Sequence, residues 1–161
     1  MATPDVGTGI ESGLYVRTGG NFASPTWTEL TEIGDLTQNA SWKTAEVEVR
    51  TSPATMAVKT TIDIGVSFKM LYRPSGPTAA YNTVIAALAT RDVVDVLVLN
   101  GSNTTNGARG WRYEGQVTSG TEDQGTQAVI MPDIEIKPTI TNNVPASVLV
   151  SSGAPVFTSL T

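Results

Sequence analysis

The chain has 161 residues, 16% of them charged, with 15 acidic against 10 basic side chains and neither cysteine nor histidine. Those absences exclude Cys/His zinc sites, cysteine nucleophiles and Ser-His-Asp triads, leaving carboxylates, Lys, Ser/Thr and Tyr as possible catalytic groups. A net charge of -5 argues against a tight grip on nucleic acid, which needs clustered Lys and Arg to neutralise phosphates.

The start, MATPDVGTGIESG, has neither the basic n-region nor the apolar h-region of an export signal, and no run approaches the about 18 apolar residues of a membrane span. The expectation is a soluble, unexported single domain whose first residues form an arm. Residues 14–18 are a short strand candidate. Gly19, Gly20, Asn21 and Pro25 then break the chain, and 27–33 alternates Trp27, Glu29, Thr31 and Ile33 against Thr28, Leu30 and Glu32.

Residues 45–51, AEVEVRT, place Glu46, Glu48 and Arg50 on one strand face and Val47 and Val49 on the other. The strand at 60–72 has an unbroken apolar row of Ile62, Ile64, Val66, Phe68 and Met70, opposed by Thr61, Asp63, Gly65, Ser67 and Lys69. Pro77 then suits the first turn of a helix over about 78–90, in which Tyr81, Val84, Ile85 and Leu88 make one narrow apolar stripe. The run VVDVLVL at 93–99, rich in β-branched residues, reads as a central strand, and 100–110 as a polar loop.

Residues 110–140 read as a long hairpin. Trp111, Tyr113, Gly115 and Val117 alternate with Arg112, Glu114, Gln116 and Thr118. In the second strand Ala128, Ile130, Ile134 and Ile136 alternate with Val129, Met131, Asp133, Glu135 and Lys137. Ser119, Gly120, Asp123 and Gly125 supply turn chemistry between them. After Lys137 no charged side chain occurs, and the breakers Pro145, Gly153 and Pro155 suggest either a disordered end or an arm adding to a neighbour's sheet.

The chemistry-bearing groupings are sparse. Asp133 and Glu135 could form an acid/base pair but read first as the wet face of an amphipathic strand. Glu122 and Asp123 lack the spaced oxygen ligands of a calcium loop. The Gly-rich spots do not follow a strand and open a helix, so they do not form a phosphate loop. Trp111 and Tyr113 share a face with Val117, which makes them core or interface residues before stacking platforms.

In element order, and in the wording of TWTELTEIGDLTQN, AEVEVRTS, DIGVSFKMLYRP, GWRYEGQVTSG and IMPDIEIKPT, residues 25–140 resemble a tail tube (major tail) protein of a long-tailed bacteriophage. The resemblance implies a mainly β fold, a β-sandwich or barrel flanked by a single α-helix, with an N-terminal arm at 1–13, a β domain at 14–140 and an uncharged C-terminal arm or flexible tail at 141–161. It implies a non-catalytic virion protein without cofactor or metal. Copies would form rings, hexameric in that family, stacked into a tube for genome ejection and assembled in the host cytoplasm. Other partners would be tape-measure, tail-terminator and tail-tip proteins, with DNA only in transit.

The segment 45–59 would correspond to a loop reaching neighbouring subunits or rings, with Glu46, Glu48, Arg50 and Met56 at the contact. The charged faces, carrying Asp63, Lys69, Arg112, Glu114, Asp133, Glu135 and Lys137, would be the candidates for the lumen lining. Two other readings stand beside this one. A carbohydrate-binding or adhesin β-sandwich would use Trp111, Tyr113 or Trp42 as a platform, and an enzyme would use Asp133 with Glu135.

Overall fold

The computed structural model describes residues 12–48, 55–71, 76–121 and 132–160. Among the described residues nine strands and one helix follow in the order β1 (Gly13–Gly20), β2 (Pro25–Glu29), β3 (Ile33–Glu48), β4 (Thr55–Met70), α1 (Ala79–Ala89), β5 (Val94–Leu99), β6 (Arg109–Thr121), β7 (Asp133–Pro138), β8 (Ala146–Ser151) and β9 (Ala154–Ser159). The fold is mainly β, as expected, with the helix where it was expected. The first eleven residues of the expected N-terminal arm, Arg50, and the hairpin turn with its flank at 122–131 lie outside the described residues.

The strands join in one antiparallel sheet with the path β2-β1-β5-β6-β7-β4-β3. β6 is long enough to serve two partners on one edge. Its first part pairs with β8, from Arg109↔Leu149 to Arg112↔Ala146, and its second with β7, from Gly115↔Pro138 to Thr121↔Asp133. At Gly110 a Cβ would run into the Val98 carbonyl of β5, so only glycine lets β5 approach so closely there.

Alternation sorts the side chains into two cores. Leu14 and Val16 of β1, Val94, Val96 and Val98 of β5, Tyr113 of β6, Ile134 and Ile136 of β7 and Ile64, Val66, Phe68 and Met70 of β4 make one buried cluster. The sheet curves around this cluster, and α1 adds Ala80, Tyr81, Val84 and Ala87. Of the expected apolar rows, Ile64, Val66, Phe68 and Met70 of β4 and Ile134 and Ile136 of β7 are therefore core, with Ile62 partly buried against it; Ala128 and Ile130 lie outside the described residues. The opposite face carries a second, smaller cluster of Tyr15, Leu97, Leu99, Ala108, Val148 and Val150, against which Trp27 and Phe157 pack.

α1 begins at Thr78, whose hydroxyl accepts from the Tyr81 amide at 3.2 Å, a regular N-cap. Glu32, expected only as one side of an alternating strand, sits at the β2–β3 corner instead. It is 3% exposed; its Oε1 accepts from the Thr78 amide at 3.2 Å and its Oε2 from the Thr78 hydroxyl at 3.1 Å. Burial pushes this carboxyl up, but its own amide, the Thr78 amide and the Thr78 and Thr31 hydroxyls outweigh that and hold it below its usual value.

The expected C-terminal arm or flexible tail contains β8 and β9, a hairpin paired along its whole length and joined to β6. Its two turn residues, Ser152 and Gly153, both have positive φ, 53° and 74°, which is the twist a tight hairpin needs. Val148 and Val150 are buried in the second core, and the Gly153 amide donates to Asn106 Oδ1 at 2.8 Å. This part of the expectation is corrected: a charge-free sequence at a chain end is here structural strand.

Candidate functional site

β3 and β4 are each 16 residues long, and they outrun the body of the protein. β7 pairs with β4 only over Val66–Lys69. Beyond that the β3–β4 ladder continues through Asn39↔Gly65, Trp42↔Ile62 and Glu46↔Ala57 to Glu48↔Thr55 with no third strand among the described residues. Residues 39–46 and 57–61 are exposed whichever way their side chains point. At about 3.3 Å per residue this arm projects roughly 30 Å.

Of the expected contact residues, Glu46 is exposed on the arm, and Glu48 and Met56 are placed near its end by the pairs Glu48↔Thr55 and Val47↔Met56. AEVEVRT was expected as a separate short strand; its described part is the outer end of β3. A bulge at Thr60, between the pairs Lys43↔Thr61 and Thr44↔Lys59, twists the ladder. Trp42, 40% exposed, lies under the Lys59 ammonium, 5.5 Å from the ring centroid.

The expected wall residues divide into two groups. Lys69 and Asp133 are cross-strand partners, as are Ser67 and Glu135. Lys137 bridges to Glu135 at 3.2 Å, and the Thr118 hydroxyl donates to the same carboxylate at 3.1 Å. Asp63 lies further along the same face of β4. Asp63, Asp133 and Lys137 are exposed, and Lys69 and Glu135 half-buried, so these five residues make one continuous open polar face.

Arg112 and Glu114 occupy the equivalent face of β6, but they are not exposed, and their expected place on a wet surface is corrected. Arg112 is 3% exposed. Its Nε donates to Asp95 Oδ1 at 3.1 Å, and its Nη2 donates to Asp95 Oδ2 and to the Phe22 carbonyl, at 2.7 and 2.8 Å. The rings of Phe22, Phe157 and Trp27 stand 3.7, 4.7 and 5.1 Å from the guanidinium carbon. Trp27 and Phe157 come from β2 and β9, far apart on the strand path, so the sheet curls to enclose this charge.

Arg17 Nε lies 3.0 Å from Asp95 Oδ2, and Arg17 Nη2 lies 3.5 Å from Glu114, which also accepts from Asn143 at 3.0 Å. Burial pushes the Asp95 carboxyl up, while the Arg112 hydrogen bonds and the Arg112 and Arg17 charges pull it back. The group is an internal charge network that joins β1, β5 and β6 to the C-terminal hairpin, in which Arg17 Nε makes an ion-pair contact but, among the described residues, no hydrogen bond. Sequence reasoning missed it, although an aspartate inside VVDVLVL was the signal that a buried partner must exist.

Two of the three expected platform residues are not free to stack on a ligand: Tyr113 is 1% exposed with its hydroxyl donating to the Ile136 carbonyl at 3.1 Å, and Trp111 packs against the main core, whereas Trp42 is exposed on the arm. Burial holds the proton on Tyr113. Asp133 and Glu135 lie on an open strand face. Among the described residues no group of three or more His, Cys, Asp or Glu gathers to hold a metal ion.

No protein-family model and no curated protein matches the chain. Solved structures share its fold. A chain from the tail of an empty gene transfer agent particle, refined helically with C6 symmetry, superposes with a TM-score of 0.62 at 10% identity, covering 94% of this chain and 98% of that one. A chain of the native gene transfer agent virion gives 0.56 at 9% identity, over 91% and 95%. One from the six-fold symmetrised baseplate of the anti-feeding prophage gives 0.52 at 11% identity, over 87% and 95%.

Proposed function

We propose that this protein is a non-catalytic structural subunit of a phage-like tail, which assembles with copies of itself into stacked rings, hexameric ones, that form a tube for the passage of the genome. The observation that carries the reading is the fold. It is shared over nearly the whole length of both chains with a component of a C6-symmetric helical tail. The arm supports it, because a two-stranded ribbon with both faces in solvent has little means of stability alone and gains it against a neighbour.

The open polar face supports it as well. Asp63, Asp133 and Glu135 outnumber Lys69 and Lys137 there, and the whole chain carries 15 acidic against 10 basic residues. A conduit for a polyanion must not hold it, and rows of Lys or Arg would do so. In this reading those five residues line the lumen, Glu46, Glu48, Arg50 and Met56 lie at contacts between subunits or rings, and the other partners are tape-measure, terminator and tip proteins. The place of the protein is the virion tail, assembled in the host cytoplasm.

The test is negative-stain electron microscopy of the purified protein over a concentration series, with sedimentation velocity alongside. Rings or tubes with six-fold averages are expected. A species that stays monomeric at millimolar concentration and forms neither would refute the proposal.

A further inference from the structure

A cleft of about 490 Å³ opens beside the root of the arm, lined by Gln38 of β3, Arg109 and Trp111 of β6, Ser147 and Leu149 of β8 and Thr158 of β9. That volume lies within the roughly 300–1,000 Å³ of sites that enclose a ligand group, ample for an indole. Its rim is apolar: Leu149 is 43% exposed, and its cross-strand partner Val156 is 52% exposed. Gln38 Nε2 is buried and, among the described residues, has no hydrogen-bond partner, a donor waiting for an acceptor.

We propose that this cleft receives the β3–β4 arm of a second copy of the chain, with Trp42 as the anchor. The inference rests on the reading that copies assemble, and it names the surface that the arm meets. The chain's own Trp42 cannot fill the cleft. It lies four residues beyond Gln38 on the same strand, roughly 13 Å away, and the paired ladder between them holds it there. Arm and cleft are different surfaces, so the contact repeats from copy to copy and builds an open-ended or ring-closed array.

Chemistry agrees on both sides. A half-exposed tryptophan is the residue type that most often anchors an interface. Among the described residues Arg109 is the one charged residue lining the cleft, and the arm brings Glu46 on the Trp42 face of β3. Backbone carbonyls on the open edge of β3 supply acceptors for Gln38. β8 and β9 carry no charge to repel an incoming strand.

The chain has no cysteine, so a disulfide can be placed at will. Thr44→Cys protein, which keeps Trp42 and carries the thiol on the same face of β3, mixed with Leu149→Cys protein and oxidised is expected to give the mixed disulfide dimer as the main product. The control pair Asp63→Cys with Leu149→Cys, from the opposite face of the arm, is expected to give at least tenfold less. Ser147→Cys in place of Leu149→Cys keeps the apolar rim intact and is expected to behave the same way. Rings or tubes by microscopy without the Thr44–Leu149 or Thr44–Ser147 product above the control level would overturn the cleft assignment and leave assembly standing. No oligomer at any concentration would overturn both.

Discussion

Replacing Arg112 by Ala removes the charge that faces a fully buried carboxylate. The Arg112 and Asp95 side chains are 4% and 0% exposed, and their closest contact is 2.7 Å. Breaking such a pair costs about 3–5 kcal/mol, most of it from the carboxylate left behind, because Arg17 offers Asp95 a single partly exposed contact in place of a bidentate fork. Loss of stacking on three rings adds about 1–2 kcal/mol. The sum is a large share of the roughly 5–15 kcal/mol that holds a domain together, and it corresponds to a fall in melting temperature of roughly 10–20 °C at this chain length. Urea denaturation of Arg112→Ala, Arg112→Met and the double variant Arg112→Met/Asp95→Leu separates the terms. The singles should be strongly destabilised and the double should recover most of the loss, since it leaves no uncompensated charge. Amide exchange in β8 and β9 should accelerate in the singles, because Phe157 rests on Arg112. A single variant within about 1 kcal/mol of the parent would refute the network as the element that fastens the C-terminal hairpin.

Glu32→Gln should cost about 1–3 kcal/mol at pH 7, since the buried acceptor of the Thr78 amide and hydroxyl loses its charge. The Glu32 carboxyl titrates lower in the folded state than in the unfolded chain, so its contribution is present above the unfolded value near 4.3 and is lost as pH falls through the folded value. Urea titrations at pH 7 and pH 3 should therefore differ less for the variant than for the parent. Ile64→Asp should destabilise by several kcal/mol by placing an unpaired charge at a 1% exposed core position, whereas Asp63→Asn, one residue away on the exposed face, should stay within about 0.5 kcal/mol; equal denaturation midpoints would overturn the face assignment. Gly110→Ala should prevent folding or shift the midpoint grossly, because the new methyl meets the Val98 carbonyl; a native-like melting curve would show that β5 and β6 part easily there.

The elements read most accurately from sequence were those whose faces differ in kind. β4 and β7 alternate strictly between apolar and polar, so their core rows, Ile64 to Met70 and Ile134 with Ile136, were assigned correctly residue by residue. α1 was legible because Pro77 and Thr78 mark its start, but the expected stripe holds only in part: Tyr81 and Val84 are buried together with Ala80 and Ala87, while Leu88 is exposed. β3 was not. Residues 33–44 of that strand, IGDLTQNASWKT, have no clean period, and what makes them a strand is the ladder to β4, a non-local cause that propensity does not carry. β8 and β9 were missed for a different reason: Gly153 was read as a breaker, yet Ser-Gly between two β-branched runs is the composition of a tight hairpin turn.

The candidate wall shows why period alone cannot separate a wet strand face from a buried polar one. Arg112 on β6 and Lys69 on β4 occupy equivalent faces of one sheet, and each has an acidic residue on the next strand within reach. Their same-face neighbours across the ladder decide the outcome. Arg112 stands opposite Leu97, with Tyr15 and Leu99 nearby, and apolar side chains from β2 and β9 close over it. Lys69 stands between Gly34 and Asp133, beside Ser67 and Glu135, where there is too little apolar surface to recruit a cover. The burial of a charge in a sheet is thus set by the composition of three or more strands taken together. Strand order is the information that a single sequence lacks: once β1, β5 and β6 are known to be adjacent, Arg17, Asp95, Arg112 and Glu114 fall into one network without further assumption.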